Sequence, residues 1–158
     1  MKAIIKEIRA LSVTQPWATV IISKGKNVEN RQWNTKLRGY IAIHASQKKD
    51  LNGFEYLLDK YGIKLNIKET PYGSIVGLAE IINVITKKDV TKNTKKWFEG
   101  EYGFVLKNVI ILKKPVSAKG ALGFWRLKGR ALHAVLYQLN SPQIKIIAAN
   151  TLGIIDKV

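Results

Sequence analysis

Two hydrophobic periods interleave along this chain, so strands and helices are predicted in mixed order. Arg9 to Val13 reads as a short strand. Thr14-Gln15-Pro16 then opens a helix, with Thr14 or Gln15 as cap and Pro16 in the first turn. Trp17, Val20 and Ile21 give that helix an inward stripe, and Gly25 supplies a left-handed stop. Asn27 to Trp33 alternates as a strand, with Glu29, Arg31 and Trp33 on one face and Val28 and Asn30 on the other. Tyr40 to Ala45 is a second clear strand. Lys48 to Tyr61 carries Leu51, Phe54, Leu57, Leu58 and Tyr61 at helical spacing, and Gly62 ends it. Gly73 to Ile85 is a long β-branched strand with a bulge expected at Gly77. The polar run Lys87 to Phe98 predicts one or two helical turns. Two strands, Tyr102 to Leu106 and Val109 to Leu112, are expected around a tight turn at Lys107-Asn108. Arg130 to Leu139 and Gln143 to Leu152 read as helices parted by Ser141-Pro142.

Five or six short strands of mostly antiparallel character with inserted helices make the class α+β. A small closed barrel is the economical way to leave such strands without edges. The 158 residues predict a single domain, 1–158, long enough to bury a core without staples. The absence of cysteine excludes disulfides, thiolate metal sites and cysteine catalysis. With only His44 and His133, no histidine-rich metal site is expected, and no metal or other cofactor is called for. No segment has the roughly 18 uninterrupted apolar residues of a membrane span. Lys6, Glu7 and Arg9 break any apolar signal region, so a cytoplasmic protein is expected.

Charge changes the picture more than composition does. The chain carries 27 Lys plus Arg against 11 Asp plus Glu, a net charge of +16. From Tyr102 to Ile155 there is no acidic residue, and Lys87 to Lys96 holds five lysines against Asp89. Such an excess points to an anionic partner, nucleic acid first, because lysines and arginines neutralise phosphate and release counterions. A solvated basic surface fits the same numbers.

Leu11 to Ser46 concentrates the chemistry. Lys26, Glu29, Arg31, Trp33, Thr35 and Arg38 fall within thirteen residues, a density that packing alone does not require. Glu29 fits a general base or a hydrogen-bond acceptor for a base edge, and Arg31 a bidentate phosphate clamp. A mutual ion pair satisfies both equally. Lys26 fits a phosphate contact, or an activated amine if desolvated beside Lys24 and Arg31. Arg38 before Gly39 is placed to reach a phosphate, or is a charged turn. Trp33, then Tyr40, are stacking candidates, while Trp17 fits the core stripe. Thr35 closes a turn or donates to a ligand. His44, between Ile43 and Ala45, reads first as a satisfied core histidine. Ser46 has no adjacent base. Gly120, Gly123 and Gly129 read as turns rather than a phosphate-cradling loop.

These residues also carry a resemblance. Gln15-Pro16-Trp17, Lys26, Glu29-Asn30-Arg31, Trp33, Thr35, Arg38-Gly39 and Ile43-His44-Ala45-Ser46 follow the order and spacing of the activating-signal-cointegrator homology (ASCH) domain, of the PUA-like superfamily. The match continues at Trp97-Phe98, Gly100, Tyr102-Gly103-Phe104-Val105-Leu106, Lys119-Gly120 and Gly123-Phe124-Trp125. It spans about Leu11 to Leu127 and leaves 128–158 as a helical extension. The resemblance implies a PUA-like, mixed or antiparallel barrel with a basic cleft beside the first helix. It implies binding of RNA or a nucleotide-like ligand, through Gln15, Trp17, Lys24, Lys26, Glu29, Arg31, Trp33, Thr35, Arg38, Gly39, Tyr40, His44 and Ser46. Family members are described as RNA-binding coregulator modules, as ribonucleases and as amidohydrolases acting on acylated cytidine. An enzyme alternative therefore stands, metal-independent hydrolysis with Lys26 and Glu29 as catalytic residues, and so does a module that binds a protein partner. Two departures are visible. Lys24 stands where the family commonly has glycine, and Glu29 stands where the amidohydrolase branch has a nucleophilic threonine.

Overall fold

In a computed structural model, residues 5–155 are described, with side chains as far as Asn150. Residues 1–4, the head of the segment read above as lacking a signal region, lie outside the described residues. Strand β1 (Ile8–Gln15) leads into helix α1 (Trp17–Ser23), β2 (Val28–Arg31), β3 (Gly39–Lys49), helix α2 (Leu51–Tyr61) and β4 (Ser74–Ile85). A 3-10 turn at Lys87–Asp89 precedes β5 (Tyr102–Ser117), β6 (Phe124–Leu127) and helices α3 (Gly129–Tyr137) and α4 (Ser141–Ile155). The class is α+β. One mixed sheet has the order β2-β5-β4-β3-β1-β6, parallel between β1 and β3 and antiparallel elsewhere.

The sheet curls until its two edges approach. Trp33, just past β2, packs edge-on against Phe124 of β6 with ring centroids 5.4 Å apart. Arg31 of β2 donates through Nη2 to the Ser12 carbonyl of β1 at 2.9 Å. Alternation along β3 divides the core into two layers. Ile41, Ile43 and Ala45 face inward with Leu11, Phe104 and Ala18 and Ile21 of α1. Tyr40 and Ala42 face the other way, under Leu132 and Val135 of α3 and Ile147 of α4.

Several local expectations shift for identifiable reasons. The strand expected over Asn27 to Trp33 is confined to β2, because only Val28–Arg31 pair with β5. Helix α2 begins at Leu51 and not at Lys48. Lys49 still pairs with Gln15 in the sheet, and the Asp50 carboxylate caps the helix by accepting the Gly53 N–H at 3.0 Å. The two strands expected around Lys107-Asn108 are one, β5. Asn108 takes φ 52 inside it as an extra residue, since Leu78 pairs with Ile110 and Glu80 with Lys107. β6 forms where the sequence pattern predicts no strand. Gly77 does sit at a register shift, and its Cα approaches the Ile110 carbonyl so closely that a Cβ would lie 2.6 Å from it.

Candidate functional site

α1 stops because Gly25 takes φ 77, which turns Lys26 back under the helix. The Val20 carbonyl accepts from both Lys24 and Lys26 N–H, at 3.0 and 3.1 Å. This places the Lys26 side chain inside the protein while Lys24 stays in solvent, so the glycine displaced by one residue still serves the turn. Only 5% of Lys26 remains exposed. Its ammonium donates to the Val28 carbonyl, lies 3.5 Å from Glu29 Oε2 and stands 5.9 Å above the Trp17 ring. Burial pushes the Lys26 pKa down, Glu29 opposes this, and Arg31 adds to it. Arg31 Nε lies 3.2 Å from Glu29 Oε1, an ion pair without hydrogen-bond alignment.

Lys26 and Glu29 form the floor of a cavity of about 340 Å³. Its walls are aromatic: Trp17 from α1, Tyr56 and Tyr61 from α2, and Trp97 from the segment before β5. Tyr61 and Trp97 are tilted against each other with centroids 4.3 Å apart. Each wall is pinned. Trp17 donates its indole N–H to Asp50 Oδ2 at 3.1 Å, and Tyr61 donates to the Lys96 carbonyl at 2.8 Å. Asn30 grips the far wall with both ends of its amide, donating to the Trp97 carbonyl at 2.9 Å and accepting the Glu99 N–H at 2.8 Å. Outside this cavity a wider one of about 620 Å³ shares Trp17, Glu29, Asn30 and Glu99 with it and reaches Trp33 and Glu101.

The cleft thus lies beside the first helix, but it is not basic. Four of the chain's 11 carboxylates, Glu29, Asp50, Glu99 and Glu101, line it against Lys26 and Arg31. The sequence shows how many charges a stretch holds, but not that these four, from three separate stretches of the chain, converge.

The structure brings together only part of the expected site. Trp17, Lys26, Glu29, Arg31 and Trp33 line the two connected cavities. Trp17 does both: it is partly buried against the core clusters of Val20 and Ile21, and it also lines both cavities. Tyr40 faces the opposite core layer and donates to the Asn108 carbonyl at 2.9 Å, which takes it out of the cleft. Gln15 is fully buried and spent: its amide donates to the Pro71 carbonyl and accepts the Thr19 N–H, so it caps α1. Thr35 and Arg38 hold the loop before β3 through contacts with Leu37, and Gly39 is packed against Asn150 of α4. His44 and Ser46 line a separate groove, with His44 2% exposed and satisfied by Ser12 and Ala118. Asp50, Tyr56, Tyr61 and Glu99 line the cleft without being among the residues expected there. Of these only Tyr61 had a signal, on the apolar stripe of α2, while Tyr56 lies off that stripe.

Among the described residues no group of histidines and carboxylates is placed to hold a metal ion, and no helix is long and apolar enough to cross a membrane.

A family model described as ASCH domain matches residues 11–116. Activating signal cointegrator 1 of Homo sapiens is 27% identical over 132 residues, and that of Mus musculus 26%. Each alignment covers 76% of this chain and 22% of the relative, so the chain spans about a fifth of these proteins. Among solved structures, the ASCH protein of Zymomonas mobilis is 14% identical with a TM-score of 0.49, covering 82% of this chain and 93% of that one.

Proposed function

This chain belongs to the ASCH domain family, and on that premise we propose that it binds single-stranded RNA by taking one unpaired base into the aromatic-walled cavity. The observation that carries this reading is the pairing of Trp17, Tyr56, Tyr61 and Trp97 with a polar floor of Lys26 and Glu29. Bases stack on aromatic rings with about 1–3 kcal/mol each. A volume of about 340 Å³ is at the small end of ligand pockets. Glu29 and Lys26 read the base edge as acceptor and donor. The net charge of +16 supplies the phosphate attraction from outside the cleft.

Titration of labelled single-stranded RNA against wild type and a Glu29→Ala/Arg31→Ala double variant tests this. The variant is expected to lose tenfold or more in affinity, about 1.4 kcal/mol. Equal affinity for both proteins removes the cleft from the binding site.

A second reading is favoured by the Lys26 amine, which burial holds below its ordinary pKa beside Glu29. In it the same floor hydrolyses RNA or a modified nucleoside, with Glu29 handling protons. Glu29→Gln is then expected to abolish turnover while retaining binding. Unchanged turnover takes Glu29 out of any such chemistry.

A further inference from the structure

The I-H-A-S and K-G…G-F-W stretches meet at a second groove that the cleft does not use. It has a volume of about 620 Å³ and lies where β3 and β5 end, beside the loop leading to β6. The groove is held rigidly. Ala118 donates its N–H to the Gly73 carbonyl at 3.1 Å, and its carbonyl accepts His44 Nε2–H at 2.7 Å. With Nε2 thus the donor, His44 Nδ1 accepts the Ser12 hydroxyl at 3.0 Å, and Ser12 Oγ accepts the Trp125 indole N–H at 3.0 Å. Gly120 lies flat on this pair: a Cβ there would sit 2.5 Å from Ser12 Oγ and 2.6 Å from His44 Cε1. Of the groove's other polar groups, the Ser46 hydroxyl donates to the Lys48 carbonyl at 3.4 Å, while the Lys119 ammonium, the Ser117 hydroxyl and the Gln47 amide are able to donate to a ligand. No carboxylate lines it, whereas four line the cleft.

Ser12 borders both places. Its carbonyl accepts from Arg31 at the cleft, and its hydroxyl belongs to the groove. We propose that this groove is a phosphate-backbone subsite, which holds the phosphodiester of the RNA strand whose base enters the cleft. The division is electrostatic. Carboxylates at the cleft repel phosphate but accept hydrogen bonds from base edges. The carboxylate-free groove offers an ammonium and neutral donors to an anion. This inference rests on the RNA reading above and adds to it where the backbone runs.

The test is a salt series with labelled single-stranded RNA of about eight nucleotides, within the usual site size for such strands. Wild type, Lys119→Ala/Ser117→Ala and Lys119→Arg are compared, with the cleft variant Glu29→Ala/Arg31→Ala alongside. Losing one phosphate contact is expected to flatten the log–log salt slope by about 0.7, and to cost several-fold in affinity at low salt. Lys119→Arg should restore both. An unchanged slope and affinity in the double groove variant overturns the subsite, whatever the cleft variant does. A flattened slope with an unaffected cleft variant keeps the subsite and removes the base cavity. Loss of polyglutamate binding in the groove variant, with RNA binding intact, makes the groove a surface for an acidic protein and overturns the proposal.

Discussion

Lys26 is the residue on which the floor of the cleft depends. Its amine is held below the ordinary value of 10.5 mainly by burial. The unfolded chain therefore keeps a proton that the folded chain releases first, and stability from this group rises with pH through the window just below 10.5. In urea unfolding, the stability of wild type relative to Lys26→Met should improve as pH climbs from neutrality toward 10.5; a difference flat with pH would contradict the burial. The lysine itself was legible in the sequence, because a charged residue just after a helix-stopping glycine has few structural duties. The ion pair of Glu29 with Arg31 was legible too, from their shared strand face, but that of Lys26 with Glu29 was not. Asp50 was not. Its two tasks, capping α2 and holding the Trp17 indole, depend on where β3 ends, and β3 runs past the last apolar residue, Ala45, to Lys49.

At the scale of elements, the cleft is a joint between β2, the two helices and the segment Trp97–Glu101. Asn30 ties that segment to β2 through two hydrogen bonds. Asn30→Ala leaves a carbonyl and an N–H without these partners and should cost about 1–3 kcal/mol in urea unfolding. It should also raise acrylamide quenching of the tryptophan fluorescence, as Trp97, 4% exposed, loses its anchor. A stability loss without added quenching would show that the wall stays in place. Helices with strong stripes and strands rich in β-branched residues were readable locally. What escaped were features decided by pairing. β5 crosses Asn108 because β4 is long enough to pair on both sides of the bulge. β6 is four residues, Phe124–Leu127, and becomes a strand only because β1 offers an edge to it. Tyr56 enters the cavity wall through the position of Glu99, which accepts its hydroxyl at 2.7 Å from across the fold.

For the whole molecule, charge and chemistry are segregated. The long acid-free stretch after Glu101 supplies β5, β6 and the groove loop, while four carboxylates gather at the cleft. The matched family region ends at 116, before β6, α3 and α4. Yet Leu127, Leu132, Val135 and Ile147 belong to the core layer that also holds Ile8 and Ala10. A chain stopped at Val116 should therefore show no cooperative thermal unfolding transition, whereas a two-state melt from that fragment would mean that the last three elements are ornamental.

The pairing of β1 with β6 also has a consequence in time. Ile8 pairs with Leu127 and Leu11 with Phe124, so among the described residues the sheet's earliest strand in chain order is joined along one edge by its latest. At roughly 5–20 residues per second, β1 emerges on the order of ten seconds before its partner exists. Throughout that interval Ser12 lacks Trp125, and the loop that carries Lys119 has no anchor beyond it. The groove is thus completed only when β6 arrives, whereas every residue that lines the cleft has been made by Glu101.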